Sequence, residues 1–197
     1  IDTWAATASG GFVLSENGLY TREGWATFLS HLTDTGILTM TRWHLDDAPA
    51  ETHRLVSLAS ASLTDAGIDD PRSCIVLLRS TRYATILVSR TPFTPDEISR
   101  LREWCATADS SILVGPGIPS ADPVIDRLLG ADTRQAAIDA SVFNISPPDD
   151  ARPYFFLQVR PSDLLNLAWG PEGDAQAGAG HEGGQAGGVQ IGRASCR

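Results

Sequence analysis

The sequence has 197 residues, of which 42% are hydrophobic and 20% are charged; this length and composition fit one globular domain or slightly more. The net charge is −9, and all 15 basic residues are Arg. An acidic chain without an Arg cluster argues against a nucleic-acid-binding surface, which needs basic side chains to neutralise phosphates.

The first predicted helix follows Thr21, whose hydroxyl suits an N-cap, and Glu23 in its first turn faces the positive end of the helix dipole. Apolar residues then recur at the spacing of one helical face: Trp25, Phe28, Leu29 and Leu32. After Gly36, the apolar run Ile37–Trp43 predicts a buried strand.

A second helix is predicted from Pro49, which suits a first helical turn, to Gly67, which suits a helix end. The β-rich runs 74–78 and 84–88 follow it. Because these runs are too close together for a crossover helix, they are predicted to pair antiparallel as a hairpin. Cys74 lies in one of these apolar runs, and the cysteines share no short spacing that would indicate a zinc site or a disulfide framework.

A third helix is predicted to begin at a capping box formed by Thr94 and Glu97, with Pro95 at its first position. Its apolar face is predicted from four residues: Ile98, Leu101, Trp104 and Cys105. Shorter elements are predicted further on: a strand at 112–114 and helices at Pro123–Leu129 and Arg134–Ala140.

This order of elements predicts an α/β fold: the C-terminal half of a Rossmann-like doubly wound sheet that ends in an antiparallel β-hairpin, followed by a small α/β extension. We expect the half-sheet in residues 1–90 and the extension, with a Pro-rich strap, in residues 91–169. Residues 170–197 have the composition of a disordered tail, and its last part looks like a sequencing adaptor read in frame. The sequence has no glycine-rich strand-to-helix turn, with which the first half of such folds holds a cofactor. We therefore expect this chain to bind no cofactor alone.

Three stretches carry a resemblance to a known family. They are Asp2-Thr-Trp-Ala-Ala-Thr, Glu16-Asn-Gly-Leu-Tyr-Thr and Asn144-Ile-Ser-Pro-Pro-Asp-Asp-Ala-Arg-Pro-Tyr-Phe-Phe. Over residues 1–169 the chain resembles the bacterial spermidine-synthase-like proteins, which have the fold of class I S-adenosylmethionine-dependent transferases. The resemblance implies a parent protein that binds S-adenosylmethionine, or its decarboxylated form, and transfers an alkyl, aminopropyl or methyl group to a small amine-type acceptor. Larger members carry membrane helices before this domain, which implies a cytoplasmic domain that only preceding sequence attaches to the bacterial inner membrane.

The resemblance also implies a set of site residues. In aminopropyltransferases, an Asp at a strand end and a second carboxylate three residues later hold the amine and help to deprotonate it. Asp2 matches the first carboxylate, whereas the second position is Ala5, and Glu16 is the nearby acid that could substitute. We thus predict Asp2 and Glu16 as catalytic, and three aromatic residues as substrate-binding: Trp4, Tyr20 and Trp43. The alternative is a non-catalytic binding or scaffold domain of a membrane protein that retains the fold and has lost the base at Ala5.

Each of these residues also has a structural interpretation. Asp2 could cap its own turn, and Glu16 could be a solvated loop acid. Tyr20, just before an N-cap, could be a hydrophobic staple. For the tryptophans, Trp4 and Trp43, packing in the core is the alternative to lining a pocket.

Further polar residues leave alternatives open. His44, at the end of a strand, could be a base or a ligand, but the acids beside it favour a solvated turn. His31 and His53 are expected on the polar faces of their helices. In the Pro-rich segment, Arg152 could pair with a carboxylate, or the segment could serve as a rigid strap anchored by its aromatic residues, Tyr154, Phe155 and Phe156.

Overall fold

The computed structural model describes residues 15–160. The predictions for Asp2, Trp4 and the tail therefore lie outside the described residues. Two short 3-10 turns, Gly18–Tyr20 and Pro71–Cys74, accompany nine longer elements. In chain order these are α1 (Arg22–His31), β1 (Ile37–Trp43), α2 (Ala50–Asp65), β2 (Ile75–Ser80), β3 (Tyr83–Ser89), α3 (Pro95–Thr107), β4 (Ser110–Val114), α4 (Pro123–Leu129) and α5 (Arg134–Ala140).

The strands form one open four-stranded sheet in the order β1-β3-β2-β4, and each neighbouring pair is antiparallel. The predicted hairpin is confirmed: β2 pairs with β3 from Ile75↔Val88 to Ser80↔Tyr83. Because β3 is antiparallel to both β1 and β2, those two strands run in the same direction. The described part of the chain is thus a mixed α/β structure, as expected.

Local sequence signals place the helix boundaries. The hydroxyl of Thr21 accepts a hydrogen bond from the backbone N–H of Gly24 at 3.1 Å, which caps α1 as predicted. The capping box of α3 is also confirmed, since Thr94 accepts from the Glu97 N–H and the Glu97 carboxylate accepts from the Thr94 N–H. Gly67 follows α2 with φ +82°, a conformation that favours glycine at a helix end.

One face of the sheet carries the larger core. Trp25 of α1, Leu58 of α2 and Ile86 of β3 are all fully buried in a single cluster, and α4 and α5 contribute to it. Helix α2 is buried on all sides from Thr52 to Leu63, which is more than its apolar stripe predicts. Because residues of α4, α5 and the Pro-rich segment belong to this cluster, the predicted extension shares one core with α1, α2 and the sheet.

The other face of the sheet is only partly covered. Helix α3 packs there through Ile98 and Cys105 against Val76 and Leu78 of β2. Trp104, predicted on the apolar face of α3, is instead 53% exposed. The prediction of a buried strand at β1 is also wrong: its residues alternate between exposed and half-buried, because β1 lies at the lateral edge of the sheet.

The Pro-rich segment forms a strap, defined here as residues 144–158, across the ends of α1 and α2. The carbonyl of Pro148 accepts from the N–H of Arg22, and that of Pro153 accepts from the N–H of Asn17. The phenyl ring of Phe155 is fully buried and Phe156 nearly so. These contacts agree with the expected strap anchored by aromatic side chains.

Candidate functional site at the carboxyl end of β1

The carboxyl ends of β1 and β2 lie at the same end of the sheet, because the two strands run in the same direction. Ligand sites in α/β proteins commonly lie at the carboxyl ends of strands. Here β1 ends in Arg42 and Trp43, and His44 follows directly. Each of these three side chains packs against a different part of the molecule.

Arg42 is largely buried and joins three elements. Its Nε donates to the carboxylate of Glu51 in the first turn of α2 at 3.1 Å, and its Nη1 lies 3.5 Å from the hydroxyl of Tyr20. The guanidinium also lies 4.6 Å from the centroid of the Phe156 ring, within the range of a cation–π contact. Arg42 was not among the site residues predicted from the sequence. Its positive charge compensates the negative charge of the Glu51 carboxylate.

Tyr20 contacts the strap through its ring and Arg42 through its hydroxyl. Its ring stacks on Phe155 with centroids 4.4 Å apart, so the residue anchors the strap. Its hydroxyl contacts Arg42 and not the core, so this hydroxyl lies near the carboxyl end of β1. Glu16 is exposed, and its carboxylate accepts from the hydroxyl of Tyr154 at 3.4 Å. The structure therefore brings Glu16 and Tyr20 to neighbouring residues of the strap.

Trp43 lies on the opposite face of the sheet from Arg42, because successive side chains of a strand alternate. It pairs with Tyr83 of β3 at 4.7 Å between ring centroids, and the two residues are 42% and 44% exposed. The expectation that Trp43 packs in the core is wrong. A substrate-binding role for Trp43 would place it on a different surface from Tyr20.

His44 is buried, so the interpretation as a solvated turn is wrong. Its Nδ1 lies 2.9 Å from the hydroxyl of Thr52, and its Nε2 lies 3.5 Å from the carboxylate of Asp46, which also accepts from Arg79 at 2.7 Å. Burial lowers the pKa of His44, and the nearby charge of Arg79 lowers it further against the opposing effect of Asp46. The imidazole is therefore held neutral near pH 7.

A cavity of about 410 Å³ opens beside His44, between the ends of β2 and β4 and the start of α4. It is bordered by polar and apolar side chains that include Asp46, Arg79, Ile112, Ser120, Asp122 and Ile125. A neutral imidazole at such a cavity can accept a proton from a bound group. The size is in the range of small-molecule sites in proteins.

His53 is buried, so its predicted place on a polar helix face is wrong. Its Nε2 lies 2.6 Å from Asp122 Oδ2, and the other oxygen of Asp122 accepts from the N–H of Val124 to cap α4. His53 is buried because α4 covers the polar side of α2. The contact joins residues 69 positions apart in the chain. His31, by contrast, is exposed as predicted.

Within residues 15–160, no group of three His, Cys, Asp or Glu side chains is arranged to hold a metal ion. None of the helices in that range combines the length and the apolar character needed to cross a bilayer. Comparison with protein-family models, with curated proteins and with solved structures gives no match to this chain.

Proposed function

We propose that this chain is the acceptor-side half of a spermidine-synthase-like, S-adenosylmethionine-dependent transferase domain. The cofactor, S-adenosylmethionine or its decarboxylated form, would be held by residues of the parent protein outside this sequence. The chain alone would bind neither. The reaction would be transfer of an alkyl, aminopropyl or methyl group to a small amine-type acceptor.

The observation that carries the proposal is the position of β3. Strands β1 and β2 are parallel and joined through α2, and β3 is inserted between them in the opposite direction. Parallel strands closed by a strand that runs backwards are characteristic of class I S-adenosylmethionine-dependent transferases, the fold of the family that the sequence resembles. Within residues 15–160 one edge of β1 is unpaired, and the remaining strands of a doubly wound sheet would pair there.

The acceptor would bind at the carboxyl end of β1. Amine attack requires that an ammonium first lose a proton, because the protonated nitrogen has no lone pair to donate. Glu16 contacts the strap near Tyr20, and the neutral imidazole of His44 borders the cavity between β2, β4 and α4. Among the described residues these two groups are the proposed proton acceptors. Asp2, which is also predicted as catalytic, lies outside that range.

One observation favours the second candidate, a non-catalytic binding or scaffold domain. Two carboxylates at the carboxyl end of β1 are engaged by arginines: Glu51 by Arg42 and Asp46 by Arg79. A carboxylate held in such an ion pair serves to join elements of the structure. Under this alternative the fold and the strap persist, while the site carries no reaction.

The test is an assay of the parent protein with decarboxylated or intact S-adenosylmethionine and a diamine such as putrescine, with product detected by mass spectrometry. We expect transfer, with kcat reduced by Glu16→Gln or His44→Gln. Glu103→Gln, which removes an exposed carboxylate on α3, is the control and should leave kcat unchanged. If the parent protein catalysed no transfer and calorimetry detected no binding of either cofactor, the transferase proposal would be wrong and the scaffold alternative would be supported.

A further inference from the structure

Arg54 of α2 is a buried cation, with 3% of its surface exposed. Its Nε donates to the carbonyl of Ser146 at 3.0 Å. Its Nη1 lies within hydrogen-bond distance of three further strap carbonyls, those of Tyr154, Phe155 and Leu157, at 2.7 to 2.9 Å. All of its partners are therefore neutral.

The charge of Arg54 has no counter-charge among the described residues. No carboxylate forms an ion pair with it there, and burial alone lowers its pKa, to about 10. Buried charges are normally paired because removing an ion from water is unfavourable. Carbonyl dipoles offset part of that cost, and a negative group would offset more.

Arg54 borders a second cavity, of about 410 Å³, beneath the strap. Asn144, Ser146 and Tyr154 line it with polar groups, and Arg152 and Asp149 stand at the same cavity. Among the described residues the hydrogen bonds of Arg54 use Nε and Nη1, so its Nη2 can donate to a ligand. Arginine suits this role because its planar fork matches the oxygens of a carboxylate or phosphate.

Arg152 supplies a second positive charge that an anion can recruit. Its side chain is 81% exposed and pairs with Asp149 Oδ2 at 2.9 Å. The other oxygen, Asp149 Oδ1, is buried and has no hydrogen-bond partner among the described residues. An entering anion would compete with Asp149 for Arg152, so Asp149 opposes binding.

We propose that the cavity beneath the strap binds the carboxylate or phosphate group of a small molecule, with Arg54 as its buried charged contact and Arg152 as its second cation. The site lies apart from the cavity beside His44 and does not depend on the proposed transferase activity. The ligand would also bridge α2 to the strap, and so would add to the contacts that hold the two together.

The first experiment uses the unmodified chain. Inorganic phosphate and acetate are titrated separately at constant ionic strength, and the side-chain Nε resonances of the arginines are followed by NMR. We expect saturable shifts at Arg54 and Arg152, with Arg22 and Arg79 unchanged as internal controls. Absence of saturable shifts at Arg54 with both anions, or equal shifts at all four arginines, would overturn the proposal.

Two variants with opposite expected effects complete the test. Asp149→Asn removes the competing carboxylate and should tighten anion binding by about five-fold, the effect of a charge pair near a protein surface. Arg152→Ala should weaken it by a similar factor. Asp139→Asn, which removes an equal charge from the exposed side of α5, is the control. If Asp149→Asn and Asp139→Asn changed the affinity equally, the effect would be one of net charge and the assigned site would be wrong.

Discussion

The ring of Tyr20 stacks on the ring of Phe155 with an angle of 30° between their planes. This contact joins the residue just before the first helix to the strap at the far end of the described chain. Phe156 approaches the same tyrosine edge-on at 6.0 Å, so the anchor is a cluster of three rings. Tyr20 thus contacts these strap rings through its own ring, whereas its hydroxyl contacts Arg42.

We expect Tyr20→Phe to lower the free energy of unfolding by only about 0.5 kcal/mol, because it retains the stack and loses one long hydrogen bond to Arg42. Tyr20→Ala removes a half-buried ring and should cost about 3 kcal/mol. Urea denaturation of both variants measures the difference. If Tyr20→Phe cost as much as Tyr20→Ala, the hydroxyl and not the stack would hold the strap.

The second prediction concerns Arg54, which supplies donors to four strap carbonyls. Arg54→Met leaves those acceptors without their donors and should lower the free energy of unfolding by about 3 kcal/mol or more. Arg54→Lys keeps the charge without the planar fork. Its free energy of unfolding should lie between those of the unmodified protein and Arg54→Met. Arg22→Met is the matched control, since Arg22 forms an exposed ion pair with Asp65 that is worth less than about 1 kcal/mol.

Hydrogen exchange gives the second readout for these variants. The amide of Asn144 donates to the carbonyl of Gln158, a bond that closes the two ends of the strap. Faster exchange of that amide in Arg54→Met, but not in Arg22→Met, is the expected result. Equal exchange in the two variants would mean that the strap is held without Arg54.

Local signals made much of the fold predictable from sequence. The capping box at Thr94 and Glu97 fixes the start of α3 through bonds within one turn, so it can be read without knowing the tertiary structure. The hairpin was predictable for a similar reason, since the short connection between β2 and β3 leaves only antiparallel pairing. The doubly wound continuation of the sheet stays a prediction.

The errors concern contacts between residues far apart in the chain. An apolar run predicts a strand, but it does not show whether the strand lies at an edge, which is why β1 was expected to be buried. His53 meets an aspartate 69 positions away, and Arg54 meets carbonyls 92 or more positions away. The available signal was the run of small residues on α2, Ser57, Ser60 and Ser62, which permits burial on all sides.

The third prediction is a pH dependence due to His44. Its pKa is lowered in the folded state below the ordinary value of 6.5, so the unfolded chain binds more protons as the pH falls through that value. The contribution of His44 to stability is thus complete above about pH 6.5 and is lost as the pH falls through the lower, folded-state pKa. His44→Gln should remove this loss.

Urea denaturation between pH 5.5 and 7.5 measures this loss of stability. In that range carboxylates of ordinary pKa stay ionised. We expect the free energy of unfolding of the unmodified protein to fall towards the acid end, and that of His44→Gln to remain nearly constant. His31→Gln is the control, since His31 is exposed and should leave the slope unchanged. A slope that His44→Gln retained would assign the dependence to another group.

The last prediction concerns the free edge of β1. Within residues 15–160, β1 pairs with β3 alone, so its other edge presents unpaired backbone groups. Ile37 and Trp43 on its outer face are 46% and 42% exposed. Such edges favour pairing with a strand of another chain, and a lysine on the edge opposes that pairing. We therefore expect the chain to self-associate, and Thr39→Lys to weaken the association.

Thr39 is exposed and faces away from the larger core, so Thr39→Lys should change the free energy of unfolding by less than about 0.5 kcal/mol. Thr39→Val, which keeps the shape and adds no charge, is the matched control and should associate at least as strongly as the unmodified chain. Sedimentation velocity over a concentration series distinguishes the two. Equal association constants for Thr39→Lys and Thr39→Val would show that the chains meet through a surface other than the edge of β1.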